Sequence, residues 1–325
     1  MRYRKLGTTG LKVSEIGFGT WGIGGVGEGW VAYGPTDDHE SRAALERAFA
    51  CGMTFYDTAD LYGHGHSERL LGDVFKPLRK DVVIASKVGL LDQRGSKDFS
   101  PGHIRASLED SLRRLRTDYL DLYQLHDPPM DLLENRPDVL DVLRALEREG
   151  KIRAWGVSVQ SPGEAFDLIT RWGIRCVQIN FNMLDQRALT LGLLGLCESE
   201  GVGVIVRTPL CFGFLTGYYS EKTCFEGGDH RVLWSRQQRE RWAQGSQIFA
   251  SVRKDTDESM AQFALRYCLS YPGVSTVIPG MLTETEVEED AAVSERGPLS
   301  AEERRKIEEV YQEHSFFVER EELRR

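Results

Sequence analysis

The stretch VVIASKVGLLDQRGSKDFSPGHIRASLEDSLRRLRTDYLDLYQLH, residues 82–126, holds one complete structural unit. It opens on an apolar run, VVIASKV (82–88), and closes on another, YLDLYQLH (119–126). Between them, PGHIRASLEDSLRRLRTD (101–118) spaces its apolar residues as a helix does, behind an initial proline. Strand, helix, strand in that order predicts two parallel strands joined by a right-handed crossover. The pattern recurs along the chain. IGFGTWG (16–22), TFYDTA (54–59), RAWGVSV (153–159), CVQINFN (176–182), VGVIVRT (202–208) and STVIPG (275–280) read as further strands. HESRAALERAFACG (39–52), RPDVLDVLRALEREGK (136–151) and RALTLGLLGLCESEG (187–201) read as helices, several of them closing on glycine.

Eight such units, with no break in composition, point to an α/β fold: a closed (β/α)8 TIM barrel spanning residues 1–325 as one domain. YRKL (3–6) and KVSEI (12–16), joined by GTTG, predict an N-terminal β-hairpin. The competing architecture is an open doubly wound sheet, which wants a glycine-rich fingerprint after its first strand; GFGTWG (17–22) is a weak signal for it. Residues 211–245, after the seventh predicted strand, read as one long irregular loop, the kind that serves as a lid.

Hydrophobic residues make up 41% of the 325 and charged residues 28%, the balance of a globular chain with a large core. A net charge of −9 argues against nucleic acid or an anionic membrane as the main partner. No apolar run approaches 18 residues, and MRYRKLGTTG lacks a signal-peptide core. The six cysteines are scattered without a CxxC pair, which reads as free thiols in a reducing cytoplasm and no structural zinc site.

Chemistry in such barrels sits at the C-terminal ends of the strands. Reading those ends gives Asp57 with Tyr62 in the following loop, then Lys87, His126, Ser158, Gln178 with Asn180, and Arg207 with Thr208. Asp57, Tyr62, Lys87 and His126 come from neighbouring strands and can converge. An ammonium beside a phenol favours the phenolate, which makes a tyrosine usable as a general acid. A histidine nearby can orient a carbonyl oxygen. The set suits a reaction in which a carbonyl oxygen gains a proton while its carbon is attacked.

TFYDTADLYGHGHSERLLG (54–72), IASKVG (84–89) and YLDLYQLHDP (119–128) together resemble the aldo-keto reductases. GKIRAWGVSV, VQINFNMLD, GVGVIVRTPLCFGFLTG and VIPG extend the likeness, in order, over nearly the whole chain. The resemblance implies NAD(P)(H)-dependent hydride transfer to an aldehyde or ketone, or from the corresponding alcohol or sugar lactol. It makes Tyr62 the general acid, Lys87 and Asp57 its support, and His126 the residue that positions the carbonyl oxygen. It also implies that Ser158 and Gln178 hold the nicotinamide carboxamide and that Thr208, Leu210 and Gly213 wrap the pyrophosphate. Gly280, Glu286, Glu289 and Asp290 fall at the cofactor's remaining contacts. Arg207 stands where the family stacks a side chain on the nicotinamide, although a structural ion pair is an equal reading.

The sequence departs from the family at the adenine end. PGMLTETEVEED (279–290) has no base, and none occurs from Tyr267 to Glu295. Leu282 replaces an expected arginine. Glu284, Glu286 and Glu288 would repel a 2′-phosphate but accept from a free 2′-hydroxyl. This favours NAD(H) over NADP(H). Asp290 replaces an asparagine, and as a carboxylate it would accept from adenine but not donate. Val159 follows Ser158 where many members have asparagine.

Other features have blander readings. His64 and His66 form an HxH, but a metal site needs further ligands from later strands, and only His126 is placed to help; no metal is expected. Trp21, Trp30 and Tyr33, after the first strand, line a substrate pocket or simply pack. Trp234 and Trp242 anchor the long loop or touch substrate. A cofactor-binding regulatory subunit, resembling the potassium-channel β subunits, is the alternative to an enzyme.

Overall fold

Every predicted strand forms in the computed structural model, which describes residues 1–26, 32–255 and 257–318. β1 (Tyr3–Lys5) and β2 (Lys12–Ser14) make the antiparallel hairpin. The barrel strands follow: β3 (Phe18–Gly19), β4 (Phe55–Asp57), β5 (Val83–Val88), β6 (Leu120–His126), β7 (Ile152–Ser158), β8 (Cys176–Asn180), β9 (Gly203–Arg207) and β10 (Thr276–Val277). They lie in chain order, all parallel.

The first and last strands meet and close the barrel. Gly17 N–H donates to Val277 O at 2.8 Å, Gly19 N–H to Pro279 O at 2.9 Å, and Val277 N–H to Glu15 O at 3.0 Å. This seam accounts for Gly17 and Gly19 of GFGTWG. The stretch does carry G-x-G-x-x-G spacing, but a Cβ on Gly19 would lie 2.7 Å from Ile278 O, so its glycine admits a neighbouring strand. No dinucleotide-type sheet opens there.

Alternation along the strands builds the interior in layers. Phe55, Ala85, Leu122, Ala154, Cys176, Ile205 and Ile278 form one apolar layer, and Leu6, Leu11 and Val13 of the hairpin plug it from below. Two residues further along β4, β5, β6, β8 and β9 the same faces carry Asp57, Lys87, Gln124, Gln178 and Arg207. One pleat step therefore turns the interior from apolar to polar, at the C-terminal end.

The helices bury their other core faces outside the barrel. Helix Pro101–Leu115 starts where Ser100 Oγ accepts from His103 N–H, and its proline needs no hydrogen-bond partner in the first turn. Helix Asp138–Arg148 buries Val139, Leu140, Val142, Leu143 and Leu146 on one face. Two expectations about helices and loops are corrected. The predicted helix over 187–201 is broken into Arg187–Thr190 and Leu193–Glu200 by Gly192, at φ 72°. The predicted loop 211–245 ends in a regular helix, Arg236–Ala250, capped by Ser235 and burying Gln238, Trp242, Ala243 and Phe249. Its charged opening, RQQRER, masks that periodicity in the sequence. Among the described residues no helix is long and apolar enough to cross a membrane.

Candidate active site

The polar layer is a connected network. Lys87 Nζ donates to Asp57 Oδ1, to Thr58 O at 2.9 Å and to Tyr62 Oη at 3.0 Å. Asp57 Oδ2 accepts from Gln178 Nε2 at 2.7 Å and from Gln124 Nε2 at 3.0 Å. Ser158 Oγ donates to Gln178 Oε1 at 3.3 Å. Lys87 has no exposed surface and Asp57 almost none. Burial pushes the Lys87 ammonium towards neutrality, but Asp57 and the Tyr62 oxygen outweigh it and raise its pKa. Lys87 is a fixed cation.

His126 ends β6, and its ring lies 6.0 Å from that of Tyr62, edge to face. Burial, then the charges of Lys87 and Arg207, hold its pKa well below the ordinary histidine value. It is a neutral imidazole, and its Nδ1 is buried without a partner among the described residues. The next residue, Asp127, sits at φ 55° and is tied down by Lys97 Nζ at 2.7 Å and Gln160 Nε2 at 3.1 Å. Those contacts hold the strained backbone that ends the histidine strand.

A cleft of about 700 Å³ runs from this network to helix Glu284–Arg296. Asp57, Tyr62, His126, Gln178, Arg207, Thr208, Leu210, Gly213, Gly280, Glu286, Glu289 and Asp290 all line it, as do Trp21 and Tyr33. Ser158 lies one contact behind, against Gln178. Trp30 falls outside the described residues. Trp242 is buried as a loop anchor, whereas Trp21 packs edge-on against Tyr33 at 4.9 Å and His230 at 4.4 Å.

Several sequence readings change in detail. Arg207 forms no ion pair among the described residues; it donates to Val159 O at 2.9 Å, which leaves the ion-pair reading without support. Glu286 completes a capping box with Thr283, accepting from Leu282 N–H at 2.6 Å and Thr283 N–H at 3.2 Å, so much of its capacity is spent on the helix. Glu288 pairs with Arg47 outside the cleft. Burial, then Glu289 and Glu286, push Asp290 well above the usual carboxylate range. This shift favours the protonated form, which donates as well as accepts, over the carboxylate that only accepts. His66 is engaged by Asp38 at 2.8 Å, and no group of three metal-ligating side chains forms among the described residues.

Two features escaped the sequence reading. Gln124 was legible in principle, since it lies two residues before His126 on the same inward face. The second is the strap over the cleft. Ala32 N–H donates to Gly228 O at 3.3 Å and His230 N–H to Ala32 O at 2.8 Å, which joins the loop after β9 to the loop after β3. Arg231, beneath this strap, pairs with Asp229 and donates to Tyr219 Oη and Phe212 O. No periodicity marks such loop contacts.

Comparison with known proteins supplies the family to which this barrel belongs. The model of the Aldo/keto reductase family matches residues 15–312, and the chain belongs to that family of nicotinamide-dependent oxidoreductases. It is 30% identical over 312 residues to the uncharacterized oxidoreductase YqkF of Bacillus subtilis, covering 93% of this chain and 94% of that one. It is 33% identical over 250 residues to the NADH-specific methylglyoxal reductase of Escherichia coli, covering 72% and 75%. Its fold matches the holo form of aldo-keto reductase AKR11C1 from Bacillus halodurans with a TM-score of 0.78 and 29% identity, covering 99% of both chains.

Proposed function

We propose that this chain reduces an aldehyde or ketone, or oxidises the corresponding alcohol or sugar lactol, with Tyr62 as the proton donor and acceptor. The observation that carries the reading is the Lys87 ammonium, 3.0 Å from the Tyr62 oxygen and anchored by Asp57 beneath the floor of the cleft. A fixed cation at that distance stabilises the phenolate left when Tyr62 gives its proton to a nascent alkoxide. His126, kept neutral, donates an N–H to the carbonyl oxygen without competing as an acid.

The residues present fit a nicotinamide cofactor, which when bound supplies or takes up the hydride. Gln178 and Ser158 would hold its carboxamide, and Arg207, with an unpartnered buried Nε, would lie against the ring. The chain doubles back tightly through Thr208, Cys211, Phe212 and Gly213, all at positive φ, and this turn would wrap the pyrophosphate with Leu210. Asn180 Oδ1 and Asn182 Nδ2 hold Thr208 at 2.9 Å each. Gly280, Glu286, Glu289 and Asp290 would face the adenosine half. Among the described residues that line the cleft, the Lys and Arg side chains are Arg207 and Arg231 only, and the charges that act on Asp290 are those of Glu289 and Glu286. This supports NAD(H) over NADP(H). Trp21 and Tyr33 would form an apolar wall for a small substrate.

Substitution of Tyr62 by Phe tests the reading. The Y62F protein should bind cofactor as the wild type does and lose turnover by about 10²–10⁴-fold. Undiminished turnover would contradict it. A wild type that binds cofactor and turns over no carbonyl would favour the regulatory-subunit reading instead.

A further inference from the structure

Asp57 has two carboxylate oxygens, and the chemistry above uses one. Oδ1 pairs with Lys87. Oδ2 accepts two amide N–H groups, from Gln178 and from Gln124. Gln178 lines the cleft, where on the reading above a bound nicotinamide would compete for its amide. Gln124 does not line it and has no exposed surface. It lies opposite Lys87 in the β5–β6 register, and its own carbonyl faces Gln178 Nε2 at 3.4 Å. A buried amide is costly unless its hydrogen bonds are used, and the strongest partner here is the Asp57 carboxylate.

We propose, building on the oxidoreductase reading above, that Gln124 is a positioning residue for the proton transfer: by holding Asp57 Oδ2 it keeps the shared proton on Lys87, and so keeps a full ammonium charge beside the Tyr62 oxygen. Hydrogen bonds to a carboxylate favour its ionised form. Without the Gln124 donor, the Asp57 oxygens become more basic and draw the proton from Nζ. The cation beside the phenol then weakens, and the phenolate is harder to reach.

The titratable and charged groups facing Tyr62 are Lys87 from β5, His126 from β6, Arg207 from β9 and, through Lys87, Asp57 from β4. Asp127 and Lys97, paired with each other, stand beside His126. Of these, only the Asp57–Lys87 pair is touched by Gln124. In carbonyl reduction the Tyr62 proton goes to the carbonyl oxygen while the cofactor's hydride goes to the carbon. The rate therefore falls at high pH, where the phenol has already ionised.

The test is the pH profile of para-nitrobenzaldehyde reduction with NADH, comparing wild type and Gln124→Met, which keeps volume and removes the amide. The alkaline limb of kcat should move up by about one pH unit, with KM and NADH affinity within about twofold. Gln124→Asn keeps the amide but withdraws it by one carbon; it should move the limb in the same direction and serves if the Met variant folds poorly. A kcat lowered by the same factor at every pH would assign Gln124 a purely structural role and overturn the proposal. So would a profile that superimposes on that of an active wild type. A wild type with neither NADH binding nor turnover would overturn the oxidoreductase reading itself, and this proposal with it.

Discussion

The Lys87 ammonium donates to the Tyr62 oxygen across 3.0 Å while its other side is closed by Asp57 and the Thr58 carbonyl. No solvent reaches it. The pair sits where the barrel interior turns from apolar to polar, so the charge cannot be screened by water.

That burial sets the first expectation. Lys87→Met leaves the Asp57 carboxylate buried with amide donors alone, which should cost about 3–5 kcal/mol of stability. The double variant K87M/D57N removes the orphan charge and should recover much of that loss. Neither should recover turnover. Urea melts together with kcat check both halves, and a double variant no more stable than K87M would contradict the account.

The hairpin plug makes a separate expectation about stability. A Cβ on Gly203 would lie 2.8 Å from the Leu6 backbone carbon. Gly203→Ala should therefore cost about 1–3 kcal/mol by displacing the hairpin from the barrel floor. Turnover per folded molecule should not change, because the plug lies at the end opposite the cleft. Thermal unfolding and an active-site titration would show this.

Asp60 gives a pH dependence. Its Oδ1 is buried without a partner, and burial, with Glu68 nearby, pushes the carboxyl up to about 7 despite a hydrogen bond from Ser107. Below about pH 4 it is neutral both folded and unfolded. As pH rises towards 7 the unfolded chain ionises and the folded one resists, so stability falls, by on the order of 2–4 kcal/mol. Asp60→Asn should remove this loss. The two stability curves should therefore diverge between about pH 4 and 7, with the variant more stable at the alkaline end.

Much of this was legible in the residues. The eight strands follow from runs such as VVIASKV and YLDLYQLH, and Asp57, Lys87 and His126 from asking which residues end them. Period two along YLDLYQLH would also have yielded Gln124, one inward step before His126. Other features belong to contacts between distant segments. The helix at 236–250 begins with a solvated charged turn. The strap of Ala32 to His230 pairs loops nearly 200 residues apart. The Glu286 cap is a local pattern, Thr283-x-x-Glu286, and was open to reading; the raised pKa of Asp290 comes from burial that no local pattern reports.

Cofactor choice can be reversed if the acidic adenine end decides it. Leu282 lines the cleft beside Glu286 and Glu289. Leu282→Arg should improve NADPH binding relative to NADH by about tenfold or more, the effect of one guanidinium–phosphate pair. Equal affinities in both proteins would place discrimination elsewhere.

The most direct test is a titration of the purified wild-type protein and Y62F with NADH and, separately, NADPH, following quenching of intrinsic tryptophan fluorescence. The account predicts that both proteins bind NADH with similar affinity and more tightly than NADPH, and that only the wild type then reduces an aldehyde. Binding of neither cofactor by the wild type would contradict it.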